Sequence, residues 1–197
     1  MFLSLLGDLE KKIIGVLFSN FIPSAYNANK LYGLNKDYVE YQPVSLVKSI
    51  FIIKELKKLE KENSQISIID VGSGTGLLIK VLDVFNFRNL IGVEIDQELY
   101  QIARNNFENE ISENRILFLN LDALDLSLVW KSPVYILFNP FGRETLVKFI
   151  GKVCIENSQA HIIYINDLHS NVLANDFVKT YSNHLLKISV WKKTDRH

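Results

Sequence analysis

The sequence predicts an α/β fold: a mostly parallel sheet with helices on both faces, closed at its C-terminal end by an antiparallel hairpin strand. Three observations predict it. From Gln65 onward, short runs rich in isoleucine and valine alternate with longer amphipathic stretches. The short runs are apolar almost throughout, as strands covered on both faces are. Near the C-terminus the rhythm changes to two strand-like runs separated by a few polar residues, which is the pattern of a hairpin.

The elements are taken in order. The opening stretch, MFLSLLGDLEKKIIGVLFSNFI, puts Leu5, Leu6, Leu9, Ile13, Val16 and Leu17 near one helical face. Asp8, Glu10, Lys11 and Lys12 interrupt it, so it is no spanning helix. It also lacks the basic start and cleavage site of a signal peptide. An amphipathic helix is expected, covering the domain, a homodimer partner or a membrane surface. A Pro/Asn/Tyr/Gly-rich connector over about 23–42 follows, and Pro43 is expected to open a helix reaching about Lys61. The mixed charges of 54–62 read as the solvated face of that helix. Strands are then expected at 66–71, 90–94, 116–120, 134–138 and 161–165. Helices are expected at 77–85, 97–108, 123–131, 144–156 and 169–175. The hairpin is 177–181 with 185–192, turning at Ser182, Asn183 and His184. There is no repeat, low-complexity tract or flexible linker. One structural domain is therefore expected, with 1–64 as a helical extension or lid and 65–197 as the core.

Composition narrows the partners. Lysine plus arginine and aspartate plus glutamate each number 22, for a net charge of zero, which speaks against a nucleic-acid backbone as main partner. The single cysteine, Cys154, excludes an internal disulfide and any multi-cysteine metal site; no metal is expected, and a cytoplasmic location is.

The chemistry collects at strand ends. The first strand runs into Asp70-Val71-Gly72-Ser73-Gly74-Thr75-Gly76, an acid followed by three alternate glycines. A glycine turn before a helix presents backbone N–H groups to a polar ligand. Glu94 closes the second strand, where a carboxylate can accept two hydrogen bonds from a ribose diol. Asp122-Ala123 follows the third strand, and Asn139-Pro140-Phe141-Gly142 ends the fourth. All four fall on the carboxyl edge of the sheet, where such folds bind ligands. A nicotinamide dinucleotide on an oxidoreductase is the rival ligand. Its fingerprint, G-x-G-x-x-G, would set the third glycine at position 77, where this chain has the bulky apolar Leu77. Asp70 would also repel a pyrophosphate. A ligand with an ammonium and no phosphate would welcome it, and S-adenosylmethionine is such a ligand.

The strings DVGSGTG, LIGVEID, NLDALDL and FNPFG, in this order and spacing, resemble the successive motifs of class I S-adenosylmethionine-dependent methyltransferases. The resemblance covers about Gln65 to the C-terminus. It implies a Rossmann-like, seven-stranded sheet with an antiparallel last strand. It further implies Asp70, Gly72 and Gly74 around the methionine end, in a loop that includes Ser73 and Gly76, with Glu94 on the ribose hydroxyls. Asp122 and the backbone of Ala123 would hold the adenine amino group, and Ile95 would pack on the adenine. A narrower similarity, to small bacterial-type methyltransferases of unassigned substrate, lies in DYVEYQPVSL, FNPFG and IIYIN. Tyr38, Glu40 and Tyr41 would line a lid, with Tyr41 near the methionine carboxylate.

Methyl transfer needs alignment more than acid–base groups. Asn139, Pro140 and Phe141 are the expected acceptor-positioning residues, Asn139 also touching the cofactor. They resemble the D/N-P-P-Y/F motif of amino-group methyltransferases, with one proline fewer and the aromatic one position early. The acceptor, a small molecule or protein carrying a nitrogen or oxygen nucleophile, is left open. So is a non-catalytic module that only binds the cofactor. Asn166, Asp167 and His169 share the edge; His161 starts its strand at the opposite one and reads as structural. Trp130, Trp191 and most phenylalanines read as core.

Overall fold

The computed structural model describes residues 45–127 and 130–194. The expected N-terminal helix, Tyr38, Glu40, Tyr41 and Pro43 lie outside the described residues.

Helix α1 (Leu46–Glu62) begins after Ser45, whose extended backbone and side-chain acceptor for the Lys48 N–H form its N-cap. The helix therefore starts three residues past Pro43. There follow β1 (Ser67–Val71), α2 (Leu77–Val84), β2 (Leu90–Glu94), α3 (Gln97–Asn106), α4 (Glu108–Ser112), β3 (Ile116–Asn120) and β4 (Pro133–Leu137). Then come α5 (Arg143–Glu156), β5 (His161–Ile165), a 3-10 helix (Ser170–Asn175), β6 (Phe177–Asn183) and β7 (Ile188–Lys193).

The seven strands form one sheet in the order β3-β2-β1-β4-β5-β7-β6. Pairings through β5 are parallel, and β7 runs antiparallel between β5 and β6. The expected seven-stranded, mostly parallel sheet with a terminal hairpin is thus observed.

Period-2 alternation splits the core in two. Ile68, Val134, Ile136 and Ile163 face α1 and α2 through Ile52, Leu56, Ile79 and Leu82. Ile69, Val71, Tyr135, Leu137 and Tyr164 face α5 through Leu146, Phe149 and Val153. Each such aliphatic side chain, taken out of water, contributes about 1.5–3 kcal/mol. Trp191 is in the second cluster and Trp130 packs against it.

Two expectations fail. Among the described residues of 123–131 there is no helix. Asp122 turns the chain instead: its carboxylate accepts the Leu124 N–H at 2.9 Å and its carbonyl the Asp125 N–H at 2.8 Å. A short acidic side chain that takes a backbone donor competes with helix formation in this way. The hairpin turn also falls later, at 184–187. There Asn183 accepts the Leu186 N–H at 3.0 Å, and Lys187 takes φ 52°. Leu185, read as the start of a strand, is 96% exposed at the tip.

Candidate functional site

Strand order reverses between β1 and β4, and the carboxyl ends of these strands open the crevice where doubly wound sheets bind ligands. Register places Asp70 beside Gly92 of β2 and Ile136 of β4, and Glu94 beside Asn120 of β3.

After β1 the chain folds back on β2. The N–H groups of Gly72 and Ser73 both donate to the Val93 carbonyl, at 2.8 and 3.0 Å, and that of Gly76 to the Ser73 carbonyl at 2.9 Å. Gly72 (φ 78°) and Gly76 (φ 84°) take the left-handed conformation that side chains disfavour. Both are also approached closely. A Cβ on Gly72 would stand 3.2 Å from the Pro140 Cβ, and one on Gly76 2.9 Å from the rings of Phe107 and Phe118. The first glycine thus admits the loop after β4. The third admits two aromatic rings, so packing alone accounts for Gly76.

Glu94 ties the edge together. One carboxylate oxygen accepts the Gly74 N–H at 2.7 Å and the other the Asp96 N–H at 2.9 Å. Asp96 caps α3 by accepting the Glu98 and Leu99 N–H groups. Burial pushes the Glu94 carboxyl up, while those two N–H groups pull it down. Asn120, which the sequence reading passed over, donates to the Glu94 and Ile95 carbonyls at 2.8 and 3.2 Å. Ile95 itself is 38% exposed at the edge.

Asp70 is only 4% exposed, and no described residue hydrogen-bonds its carboxylate. Burial first, and then the neighbouring Glu94 charge, push its pKa up to about 7. The Ser73 hydroxyl is buried with no hydrogen-bond partner among the described residues. A carboxylate and a hydroxyl left this way are costly unless something else supplies the missing partner.

Across the crevice, Asn139 takes φ 47° at the end of β4 and Asn166 φ 52° at the end of β5. Asparagine tolerates this conformation better than most residues. The Tyr164 hydroxyl donates to Asn139 Oδ1 at 3.0 Å and accepts the His169 backbone N–H. Burial holds the Tyr164 pKa up to about 12, so the hydroxyl keeps its proton. Lys48 Nζ, from the first turn of α1, donates to Asn166 Oδ1 at 2.6 Å and lies 5.1 Å from the centre of the Phe138 ring.

The strand-end reading therefore brings together Asp70, Gly72, Ser73, Gly74, Glu94, Ile95, Asn139 and Pro140 along one edge. Asp122 and the buried Ala123 follow β3 on the same edge. Phe141 does not join them. It is buried in the second core cluster, its ring centre 5.5 Å from that of Phe149, and cannot flank an acceptor as expected. Tyr164 and Lys48 were missed. IIYIN holds Tyr164, but nothing local in the sequence signals Lys48.

Residues 12–123, more than half of the chain, match the family described as protein-L-isoaspartate(D-aspartate) O-methyltransferase. No curated protein matches by sequence. Among solved structures, the chain is similar to an RNA methyltransferase from Salinibacter ruber in complex with S-adenosyl-L-homocysteine. The identity is 15%, over 78% of this chain and 93% of that one, with a TM-score of 0.52. It is similar to magnesium protoporphyrin IX methyltransferase from Synechocystis with bound S-adenosylmethionine, at 13% identity, 88% and 100% coverage and a TM-score of 0.54. A Pyrococcus horikoshii protein, PH0226, matches at 14% identity, 86% and 100% coverage and a TM-score of 0.57. At such identities the likeness speaks for the fold, and the family match carries the classification. With a seven-stranded class I methyltransferase sheet and that match, the chain belongs to the protein-L-isoaspartate(D-aspartate) O-methyltransferase family.

Proposed function

We propose that the crevice holds S-adenosylmethionine and that the chain transfers its methyl group to an oxygen acceptor. One observation carries the cofactor reading: Asp70, a buried carboxylate without a hydrogen bond among the described residues, beside a second buried carboxylate at the point where strand order reverses. Such a group calls for a cation. A nicotinamide dinucleotide brings a pyrophosphate, which this pair of acids would repel. S-adenosylmethionine brings an ammonium and no phosphate, and the Ser73 hydroxyl offers a second vacant polar contact.

When bound, the cofactor supplies a carbon activated for displacement by its sulfonium. Asp70 holds the ammonium end. Glu94, already accepting the Gly74, Asp96 and Ile95 N–H groups, offers its remaining acceptor capacity to the ribose hydroxyls. Asp122 and Ala123 serve the adenine amino group, and Ile95 covers the ring. The rest is alignment in a dry pocket, which can supply roughly 7–11 kcal/mol.

The family match and the loop after β4 support an oxygen acceptor. In an N-methylating arrangement the first side-chain oxygen accepts from the nucleophile and the aromatic flanks it. Here Asn139 Oδ1 accepts from Tyr164 and Phe141 is buried in the core. Calorimetric titration tests the cofactor: micromolar binding is expected for the wild type and its loss in Asp70→Ala, and absence of binding to the wild type would overturn the reading. Methyl-labelled cofactor tests the acceptor atom. A methyl ester releases its label as methanol in base, whereas a methyl ether or an N-methyl group keeps it, so release marks a carboxylate oxygen.

A further inference from the structure

Asn139 and Asn166 occupy equivalent places on adjacent strands. The register of β4 with β5 pairs Leu137 with Tyr164 and, carried two residues further, sets Asn139 beside Asn166. Both take a left-handed backbone, at φ 47° and 52°, and adjacent strands stand only about 4.8 Å apart. In each, the carboxamide oxygen is already met by a donor. Lys48 Nζ reaches Asn166 Oδ1 at 2.6 Å, and the Tyr164 hydroxyl reaches Asn139 Oδ1 at 3.0 Å.

These two partners fix which way each carboxamide faces. An ammonium can only donate, so Asn166 must turn its oxygen, not its nitrogen, toward Lys48. A hydroxyl can do either, but that of Tyr164 already accepts the His169 N–H. Burial first, and more weakly the Asp167 charge, hold its proton in place. A buried hydroxyl with its acceptor side occupied has a hydrogen to give, and Asn139 Oδ1 receives it. The amide nitrogens are left over. Neither Asn139 Nδ2 nor Asn166 Nδ2 hydrogen-bonds a described residue. Among the described residues, the side-chain atoms sealed from solvent without a partner are Ser73 Oγ and Trp130 Nε1. Both amide nitrogens therefore reach solvent, at the carboxyl edge where the crevice opens.

We infer that Tyr164 and Lys48 are positioning residues for the methyl acceptor: each occupies the oxygen of one carboxamide and so presents the N–H donors of Asn139 and Asn166 to the incoming nucleophile. A nucleophile held this way needs lone pairs beyond the one that attacks the methyl carbon. A carboxylate or hydroxyl oxygen has them. An amine nitrogen has none to spare, and its own N–H groups would face the amide N–H groups unpaired, which rejects it. The inference rests on the methyl-transfer reading of the crevice and deepens it, by naming what selects oxygen over nitrogen.

The test follows the side-chain amide proton signals of Asn139 and Asn166 in the isotope-labelled full chain, saturated with S-adenosylhomocysteine. Asn139→Asp and Asn166→Asp assign them by loss. The probes, at equal ionic strength, are acetate and methylammonium, the same methyl group carried by an acceptor or by a donor. Acetate should shift both signals downfield and saturably, and methylammonium neither. Asn139→Asp keeps an oxygen for the Tyr164 hydroxyl but puts an acceptor where the amide donor stood. Read on Asn166, its acetate affinity should fall about tenfold and methylammonium should now bind, a reversal that a merely structural asparagine would not produce. Tyr164→Phe and Lys48→Met each free one carboxamide to turn, and each should weaken acetate about three- to tenfold while S-adenosylhomocysteine affinity holds. The indole N–H signals of Trp130 and Trp191, both packed in the core, report that every variant is folded. No saturable acetate shift, an equal response to both probes, an unreversed preference in Asn139→Asp, or unchanged acetate binding in Tyr164→Phe and Lys48→Met would overturn the proposal. S-adenosylhomocysteine binding is read first by itself: its absence overturns the cofactor reading, and the amide titrations then run on the free chain with the same outcomes deciding.

Discussion

Replacing Asp70 by asparagine should stabilise the ligand-free protein while removing its cofactor binding. The Asp70 pKa rises from 3.8 to about 7 on folding, through burial first and the Glu94 charge second. At ~1.36 kcal/mol per unit, a rise of about 3 units costs the folded state about 4 kcal/mol above pH 7. The sign follows from where each state holds its proton. Below pH 3.8 folded and unfolded chains are both protonated there, and nothing is lost. From 3.8 to about 7 the unfolded chain has released the proton while the folded one keeps it, so stability falls as pH rises; above that it is level. At pH 5 only about 1.2 units of the loss have accumulated, or ~1.6 kcal/mol. An asparagine cannot ionise, so the benefit of Asp70→Asn at pH 8 should exceed that at pH 5 by about 2.5 kcal/mol. For a chain of this length that is about 5–10 °C in the midpoint of thermal unfolding. Thermal melts of wild type and variant at both pH values, without ligand, read it directly. An equal change at both, or a variant less stable at pH 8, would refute the account of Asp70 as an uncompensated buried acid.

Further outcomes follow from the same geometry. Cofactor affinity should weaken about tenfold per pH unit below pH 7, as Asp70 must release a proton to receive a cation, measured by titration calorimetry between pH 5 and 8. Tyr164→Phe should cost about 1–3 kcal/mol in denaturant unfolding, because Asn139 and the His169 N–H lose their shared partner. It should lower turnover while leaving the dissociation constant of S-adenosylmethionine unchanged. Gly76→Ala combines a left-handed backbone with a methyl 2.9 Å from two rings, and an unfolding midpoint unchanged from wild type would contradict that packing.

Strand positions were legible because buried parallel strands are written as isoleucine and valine runs: 90–94, 116–120 and 161–165 coincide with β2, β3 and β5. What misled was local competition by polar side chains. Asp122 draws a backbone N–H into a turn where a helix was read, and Asn183 does the same just before an exposed Leu185. The edge after β1 and β2 was readable for a related reason, since an acid, glycines and a second acid are all local signals. The edge after β4 and β5 was not. Tyr164 meets Asn139 across 25 positions and Lys48 meets Asn166 across 118, and no periodicity records such meetings. Phe141 shows the reverse error: an aromatic next to a functional loop read as functional, when its ring completes the core around Phe149.

The contact between Gly72 and Pro140 has a consequence for how this sequence can vary. The loops that end β1 and β4 are far apart in the chain, yet a Cβ at position 72 would press on the proline ring at 3.2 Å. Losing the proline ring alone frees no room, because the close atom is the Cβ that every residue but glycine carries, and the φ of 78° at Gly72 disfavours a side chain there whatever stands at 140. A graft of either loop alone into another scaffold should fail where both together succeed.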